Sequence, residues 1–144
     1  VEIQIQKVQP GAQIPKYQTG GASAVDLHAC IDTPITLEAG QIQIVPTGIA
    51  LELPTGIEAQ VRARSGLAAK NGIGLVNGIG TIDSDYRGEI RVILINWGKK
   101  DFVIEPQMRI AQMVFSAYEQ VQFEVVDQLR ESVRAKGKFG STGL

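Results

Sequence analysis

The chain of 144 residues is long enough for one domain with its own core and short of a comfortable two. Its 44% hydrophobic and 20% charged residues are ordinary for a globular protein, and a formal net charge of −1 excludes a general nucleic-acid or membrane surface, so any anion site has to be local. The single cysteine, Cys30, forms no intrachain disulfide and reads as a small buried residue, no apolar run reaches the roughly 18 residues of a membrane span, and no basic and apolar leader precedes the first strand, so a cytoplasmic protein is expected.

Sixteen Gly, six Pro and many short β-branched runs, with no long amphipathic period, predict an all-β chain. Residues 2–8 alternate, with Ile3 and Ile5 on one face of a half-buried strand. Pro10, Gly11 and Pro15 interrupt, and residues 16–23 read as loop. Asp26 then lies among small and apolar neighbours on a predicted strand, where a charge is costly unless something offsets its desolvation. His28, the only histidine, reads as an exposed strand residue, because one imidazole has no partner for a histidine metal site.

Residues 35–63 supply more short strands, and from Ile57 to Arg64 the alternation turns Ile57, Ala59, Val61 and Ala63 inward and leaves Arg64 on the polar face. Ser65 to Gly72 reads as a very short helix, with Ser65 as its N-cap and Asn71-Gly72 as its stop. Backbone N–H groups, a hydroxyl and a guanidinium at such a start make a small anion site, although on these residues alone a plain capped helix stays open.

The densest chemistry lies in residues 77–96, NGIGTIDSDYRGEIRVILIN. The apolar runs Gly80-Thr81-Ile82 and Ile90 to Ile95 flank the polar turn Asp83-Ser84-Asp85-Tyr86-Arg87-Gly88, which is a β-hairpin signature. Two carboxylates and a Tyr stand where rigid strands hand over to an exposed tip, a frequent place for a site, and an ordinary turn is the alternative. Trp97 to Asp101 then turns the chain into a strand at Phe102-Val103-Ile104, residues 121–126 alternate as a last strand, and residues 134–143 are flexible by composition. That tail does not match a P-loop.

Five of these stretches, in order, resemble the motifs of the trimeric dUTP diphosphatases (dUTPases). Ala22-Ser23-Ala24-Val25-Asp26-Leu27 is similar to Ala-Gly-x-Asp-Leu, with Ala24 where a Gly is usual, a departure that matters if the backbone there needs positive φ. Arg64-Ser65-Gly66-Leu67-Ala68 matches the second motif without departure, and Gly80 to Gly88 matches Gly-x-Ile-Asp-x-x-Tyr-x-Gly. Pro106 to Val114 resembles a stretch containing Gly-Asp-Arg-Ile-Ala-Gln, with Gln107 and Met108 in place of Gly-Asp and Arg109 and Gln112 retained. Residues 134–143 resemble Arg-Gly-x-Gly-Gly-Phe-Gly-Ser-Thr-Gly, with Ala135 and Lys138 replacing two glycines.

The resemblance implies a distorted jelly-roll β-barrel with one short helix, assembled as a homotrimer whose three sites are each built from three subunits. It divides the chain into a β domain, residues 1–133, and an arm, residues 134–144, that closes over a neighbour's site. It implies hydrolysis of dUTP to dUMP and pyrophosphate by attack of water on the α-phosphorus, with Asp83 as general base and with Mg²⁺ carried mainly by the triphosphate and touched by Asp26 through water. Ser65, Gly66 and Gln112 would meet the phosphates, and Arg64 the phosphates or a subunit interface. Asn77 and main-chain groups of Gly80, Thr81 and Ile82 would read uracil, Tyr86 would lie under the deoxyribose, and Arg91 would add a backbone contact to the base. From the arm, Phe139 would stack on uracil, with Arg134 and Ser141 or Thr142 near the phosphates, and Gly140 would also bind substrate. The rival readings are a dCTP deaminase-like enzyme of the same fold and a non-catalytic jelly-roll that senses nucleotides. Neither nucleic acid nor membrane is an expected partner.

Overall fold

The computed structural model describes residues 1–134, 136 and 137. Eleven antiparallel strands and one short helix make up the described chain, as the Gly-, Pro- and β-branched-rich sequence predicts. The largest sheet has the order β2 (Val25–His28), β11 (Arg109–Ala117), β6 (Ile57–Arg62), β8 (Gly80–Ile82). A second joins β4 (Ile42–Pro46), β9 (Arg91–Asn96) and β7 (Ile73–Leu75). Two pairs, β1 (Gln4–Lys7) with β5 (Ile49–Glu52) and β3 (Ile35–Leu37) with β10 (Phe102–Ile104), complete the architecture.

One core takes side chains from all four sheets, among them Leu27, Leu37, Ile49, Ile73, Leu94, Ile104 and Met113, all nearly inaccessible. Period-2 patterning puts them there: in β6, Ala59 and Val61 are buried while Arg62 is exposed, and in β9, Val92, Leu94 and Asn96 are buried. Asn96 is a polar residue inside this core, and its amide is fully used. Its Nδ2 donates to the carbonyls of Leu37 (2.9 Å) and Lys100 (2.8 Å), and its Oδ1 accepts from the Gly98 N–H (2.9 Å).

Several sequence expectations are corrected. The expected hairpin is not formed: β8 pairs with β6, whereas β9 pairs with β4 and β7, so the Asp83 turn carries the chain from one sheet to another. The turn itself is present, closed by the Tyr86 N–H to the Asp83 carbonyl at 3.1 Å. Ser65 is the first residue of helix α1 (Ser65–Asn71), not its cap; Arg64 occupies the cap position in extended conformation, with no side-chain cap bond. The stop at Gly72 is as expected, with φ of 70° and its N–H bonded to Ala68. An added Cβ there would lie 2.6 Å from the Gly98 nitrogen, so only glycine fits.

The half-buried face expected over residues 2–8 is not formed: every residue of β1 is exposed, Ile5 at 38%, and only Ile3, just ahead of the strand, packs partly buried against the core. Residues 121–126 form no strand and are exposed. Phe123 and Val125, 92% and 97% accessible, alternate as a strand would, but the segment finds no ladder partner among the described residues. A strand's N–H and C=O groups need a neighbouring backbone, and alternation cannot supply one. Ala24 has no positive φ, so its methyl is tolerated. Gln107, in contrast, has a φ of 65° in the position where the motif carries Gly.

Candidate active site

Seven of the expected site residues, Asn77, Gly80, Thr81, Ile82, Asp83, Tyr86 and Arg91, line a single cavity of about 380 Å³. The edge strand β8 supplies one wall and the start of β9 the other. Tyr86 lines it as well: its ring covers Gly88, where a Cβ would collide with the phenol, and its hydroxyl donates to the Glu89 carbonyl at 3.0 Å. A side chain at position 88 would therefore have to displace the ring. Asp83 is exposed, lines this cavity and also a shallower one beside Tyr118, and its carboxylate takes part in no hydrogen bond or ion pair among the described residues. Its oxygens are thus free to accept from a water molecule.

A second cluster forms where β2, β11 and the end of β6 meet. The Asp26 carboxylate, 13% exposed, accepts from Arg64 Nε at 3.0 Å and from Arg109 Nη1 at 3.3 Å. Arg64 also donates through Nη1 to the Arg109 carbonyl (3.2 Å), and Gln112 Nε2 donates to the Ala63 carbonyl (2.8 Å). These bonds fix the residues leading into Ser65 and Gly66, both exposed. Among the described residues nothing requires glycine at Gly66: its φ is not positive and an added Cβ would touch nothing within 4 Å. Open space in front of its backbone suits the close approach of another molecule.

The donor set tests how Mg²⁺ could be held. Among the described residues no group of three or more His, Cys, Asp or Glu side chains converges as a metal cage. Asp26 has each oxygen engaged once by a guanidinium, and a carboxylate oxygen has a second lone pair, so it can still accept from a water on a metal ion. The residues fit contact through water and do not fit direct ligation by several carboxylates.

Two residues of these neighbourhoods were not anticipated. Arg109 clamps Asp26 as Arg64 does, and its presence in the fourth motif was the available signal. Glu89, between the turn ending at Gly88 and the apolar run from Ile90, lines the cavity and is only 13% exposed. His28 is corrected: it is half-buried, not exposed, and its Nδ1 is shielded without a partner. Burial lowers its pKa below the ordinary 6.5; Asp26 opposes this, and Arg109 and Arg64 add to it.

The two clusters are not brought together within one protomer. In the β6–β8 ladder Ile82 faces Ala59, six residues before Ser65, which at about 3.3 Å per residue separates the Asp83 turn from the helix start by roughly 20 Å. Arg134 is exposed and lies in neither cluster. Phe139, Gly140, Ser141 and Thr142, like Ala135 and Lys138, lie outside the described residues.

Fold and site define an antiparallel β protein of the jelly-roll kind, with a nucleoside-sized cleft and a separate arginine-bearing helix start. The chain belongs to the dUTPase family, whose pattern matches residues 11–143. It is 52% identical over 144 residues to the deoxyuridine 5'-triphosphate nucleotidohydrolase of Rickettsia felis, covering 99% of this chain and 97% of that one. To the enzyme of the same name from Orientia tsutsugamushi it is 50% identical over 141 residues, covering 98% and 95%. Among solved structures, a mutant dUTPase of Staphylococcus bacteriophage 80alpha with dUpNHpp superimposes with a TM-score of 0.90 at 20% identity, covering 99% of each chain. A dUTPase from phage phi11 of S. aureus, described with a structural Mg(II) ion, gives 0.80 at 16% identity, covering 89% of this chain and 98% of that one.

Proposed function

We propose that this protein hydrolyses dUTP to dUMP and pyrophosphate, keeping uracil out of DNA and supplying dUMP for thymidylate synthesis. The observation that carries the reading is an unengaged carboxylate, Asp83, on the rim of a nucleoside-sized cleft in a chain of the dUTPase family. Water held by Asp83 attacks the α-phosphorus in line, its proton passes to the carboxylate, and the bond to the α,β-bridging oxygen breaks as pyrophosphate leaves. Asp26 would hold, through water, a Mg²⁺ ion carried by the triphosphate, and that ion would supply neutralisation of charge on the phosphate oxygens.

Uracil is selected by main-chain groups of Gly80, Thr81 and Ile82 together with Asn77. Cytosine would invert the donor and acceptor pattern at positions 3 and 4 and leave buried groups unpaired, at roughly 1–3 kcal/mol each. Thymine would lack room for its methyl. Tyr86 lies under the sugar, where a 2'-hydroxyl would collide.

The working form is a homotrimer with shared sites in the cytoplasm. Its support is geometric. A separation of roughly 20 Å along β6 exceeds the distance from an α-phosphorus to the rest of its own triphosphate, so Ser65, Gly66, Arg64 and Gln112 serve a neighbour's Asp83. Residues 121–126 and an apolar groove of about 420 Å³ lined by Ile3, Ile5, Tyr17 and Phe115 are further surfaces without a partner among the described residues. Residues 134–144 act as the arm that closes a site, with Phe139 on the base, Arg134 and Ser141 or Thr142 at the phosphates, and Gly140 also binding substrate.

A pyrophosphate-release assay across dUTP, dCTP, dTTP and UTP, with and without Mg²⁺, tests the reading. Release from dUTP alone, stimulated by Mg²⁺, is expected. Ammonia from dCTP would make the chain a deaminase, and nucleotide binding without pyrophosphate release would make it a sensor.

A further inference from the structure

The cleft contains an acidic side chain that the reaction above leaves unused. Oε1 of Glu89 accepts from Gln9 Nε2 at 2.6 Å and from the Gly48 N–H at 2.9 Å, and Oε2 accepts from Arg91 Nε at 3.1 Å. The main-chain carbonyl of the same residue accepts the Tyr86 hydroxyl at 3.0 Å. Ile90 is bonded to the same corner, its N–H to the Ile49 carbonyl (2.8 Å) and its carbonyl to Thr47 Oγ1 (2.6 Å). The corner is rigid: Gly48 has a φ of 71°, and an added Cβ would lie 2.8 Å from both Ala12 Cβ and Cys30 Sγ. One residue therefore connects a fixed point of the fold to two side chains that face the nucleoside cleft.

We propose that Glu89 is a positioning residue of the nucleoside pocket. Its carboxylate anchors on Gly48 and Gln9, and from that anchor its carbonyl holds the Tyr86 ring against Gly88 while Oε2 fixes Arg91 at the rim. The proposal rests on the dUTP reading of the cleft. Charge is part of the design, because three donors from three residues converge on two oxygens. A carboxylate only accepts and serves all three, whereas an amide of the same shape has one acceptor oxygen and sets an N–H against either Arg91 or Gly48. Arg91 is 62% exposed, so its pairing is screened and contributes little by itself. The shielded side, Gly48 and Gln9, carries the anchoring.

The experiment compares wild type with Glu89→Gln, measuring kcat and KM for dUTP and UTP and the unfolding temperature. Loss of one charge-assisted hydrogen bond from the pocket raises KM for dUTP about tenfold, more than it lowers kcat. The preference for dUTP over UTP falls with it, because Tyr86 is no longer held. A lowered unfolding temperature with unchanged KM and unchanged preference would show a merely structural residue and overturn the proposal. Should Glu89→Gln fail to fold, Gln9→Ala takes its place, since it removes one anchor and touches neither cleft side chain. The same two shifts, smaller, are expected of it, and their absence overturns the proposal equally. Wild-type protein that releases no pyrophosphate from dUTP defeats the functional reading before any variant is compared, and the proposal with it.

Discussion

Ser84 Oγ lies 2.8 Å from the Tyr118 hydroxyl, which ties the turn bearing Asp83 to the residue that follows β11. Turn and strand end belong to parts of the chain 34 residues apart, and the bond is half-buried. The Asp83 carboxylate is unengaged, so its direction depends on the backbone on either side of it.

Removing the tie should therefore affect turnover more than binding. In Tyr118→Phe the ring stays and one hydrogen bond worth about 0.5–1.5 kcal/mol is lost, for a fall in kcat of roughly two- to tenfold with KM little changed. Steady-state kinetics on dUTP checks this; an unchanged kcat would mean that the Asp83–Tyr86 turn holds its own shape.

The separation of the two clusters predicts complementation between inactive chains. Asp83→Asn should keep nucleotide binding and lose at least about a hundredfold in kcat, since it removes the general base. Arg64→Gln should lose phosphate contact at a different site. In the proposed homotrimer, the two co-refolded in equal amounts give mixed assemblies in which one site of three draws an intact Asp83 from one chain and an intact Arg64 from another. About a quarter of wild-type activity should return if assembly is random and cyclic. Sites complete within one protomer would return none, which a pyrophosphate assay on the mixture decides.

Which parts were legible in the sequence follows from how far apart the partners lie. Alternation in β6, the Asn71-Gly72 stop and the Asp83–Tyr86 turn each depend on residues within one turn or strand, and each is found. The β8–β9 hairpin was wrong because adjacency along the chain favours pairing, while the Asp83 turn crosses to another sheet. Ser65 missed the cap by one position, and its neighbour Arg64 is drawn instead to Asp26, 38 residues away. The anchoring of Glu89 depends on Gln9, 80 residues distant, and on Gly48, 41 residues distant. Contacts at such separations leave no local periodicity to read. The site motifs were legible as members of a family pattern, but their division into two clusters appears only once the β6–β8 register is known.

His28 gives the stability of the protein a pH dependence with a definite sign. Burial holds its imidazole below the ordinary value of 6.5, with Asp26 opposing and Arg109 and Arg64 reinforcing. Between the folded and unfolded values the unfolded chain binds more protons, so stability rises with pH in that window. The contribution is complete above 6.5 and is lost as pH falls from there through the lowered folded value. His28→Leu removes the titration and also the unpartnered Nδ1, so its stability should be flatter than wild type below 6.5. Urea unfolding across the acid range checks this, and an unchanged slope would assign the pH dependence to other groups.

Gln107 occupies a left-handed conformation, φ of 65°, that a residue with a side chain adopts at a penalty of about 1–2 kcal/mol. Two bonds keep it there: its N–H donates to the Ala29 carbonyl at 2.9 Å, and its Nε2 reaches the Gly11 carbonyl at 2.8 Å. Gln107→Gly relieves the first cost and forfeits the exposed side-chain bond, worth about 0.5–1.5 kcal/mol, so its stability should stay within about 1 kcal/mol of wild type. Gln107→Val loses the same bond and places a β-branched residue in a region that clashes with it. It should be less stable than the glycine variant by about 2 kcal/mol. Urea unfolding of the three proteins measures the difference directly. Equal stability of the valine and glycine variants would mean that the turn relaxes to negative φ, and that the backbone between β10 and β11 is not bound to the shape Gln107 now gives it.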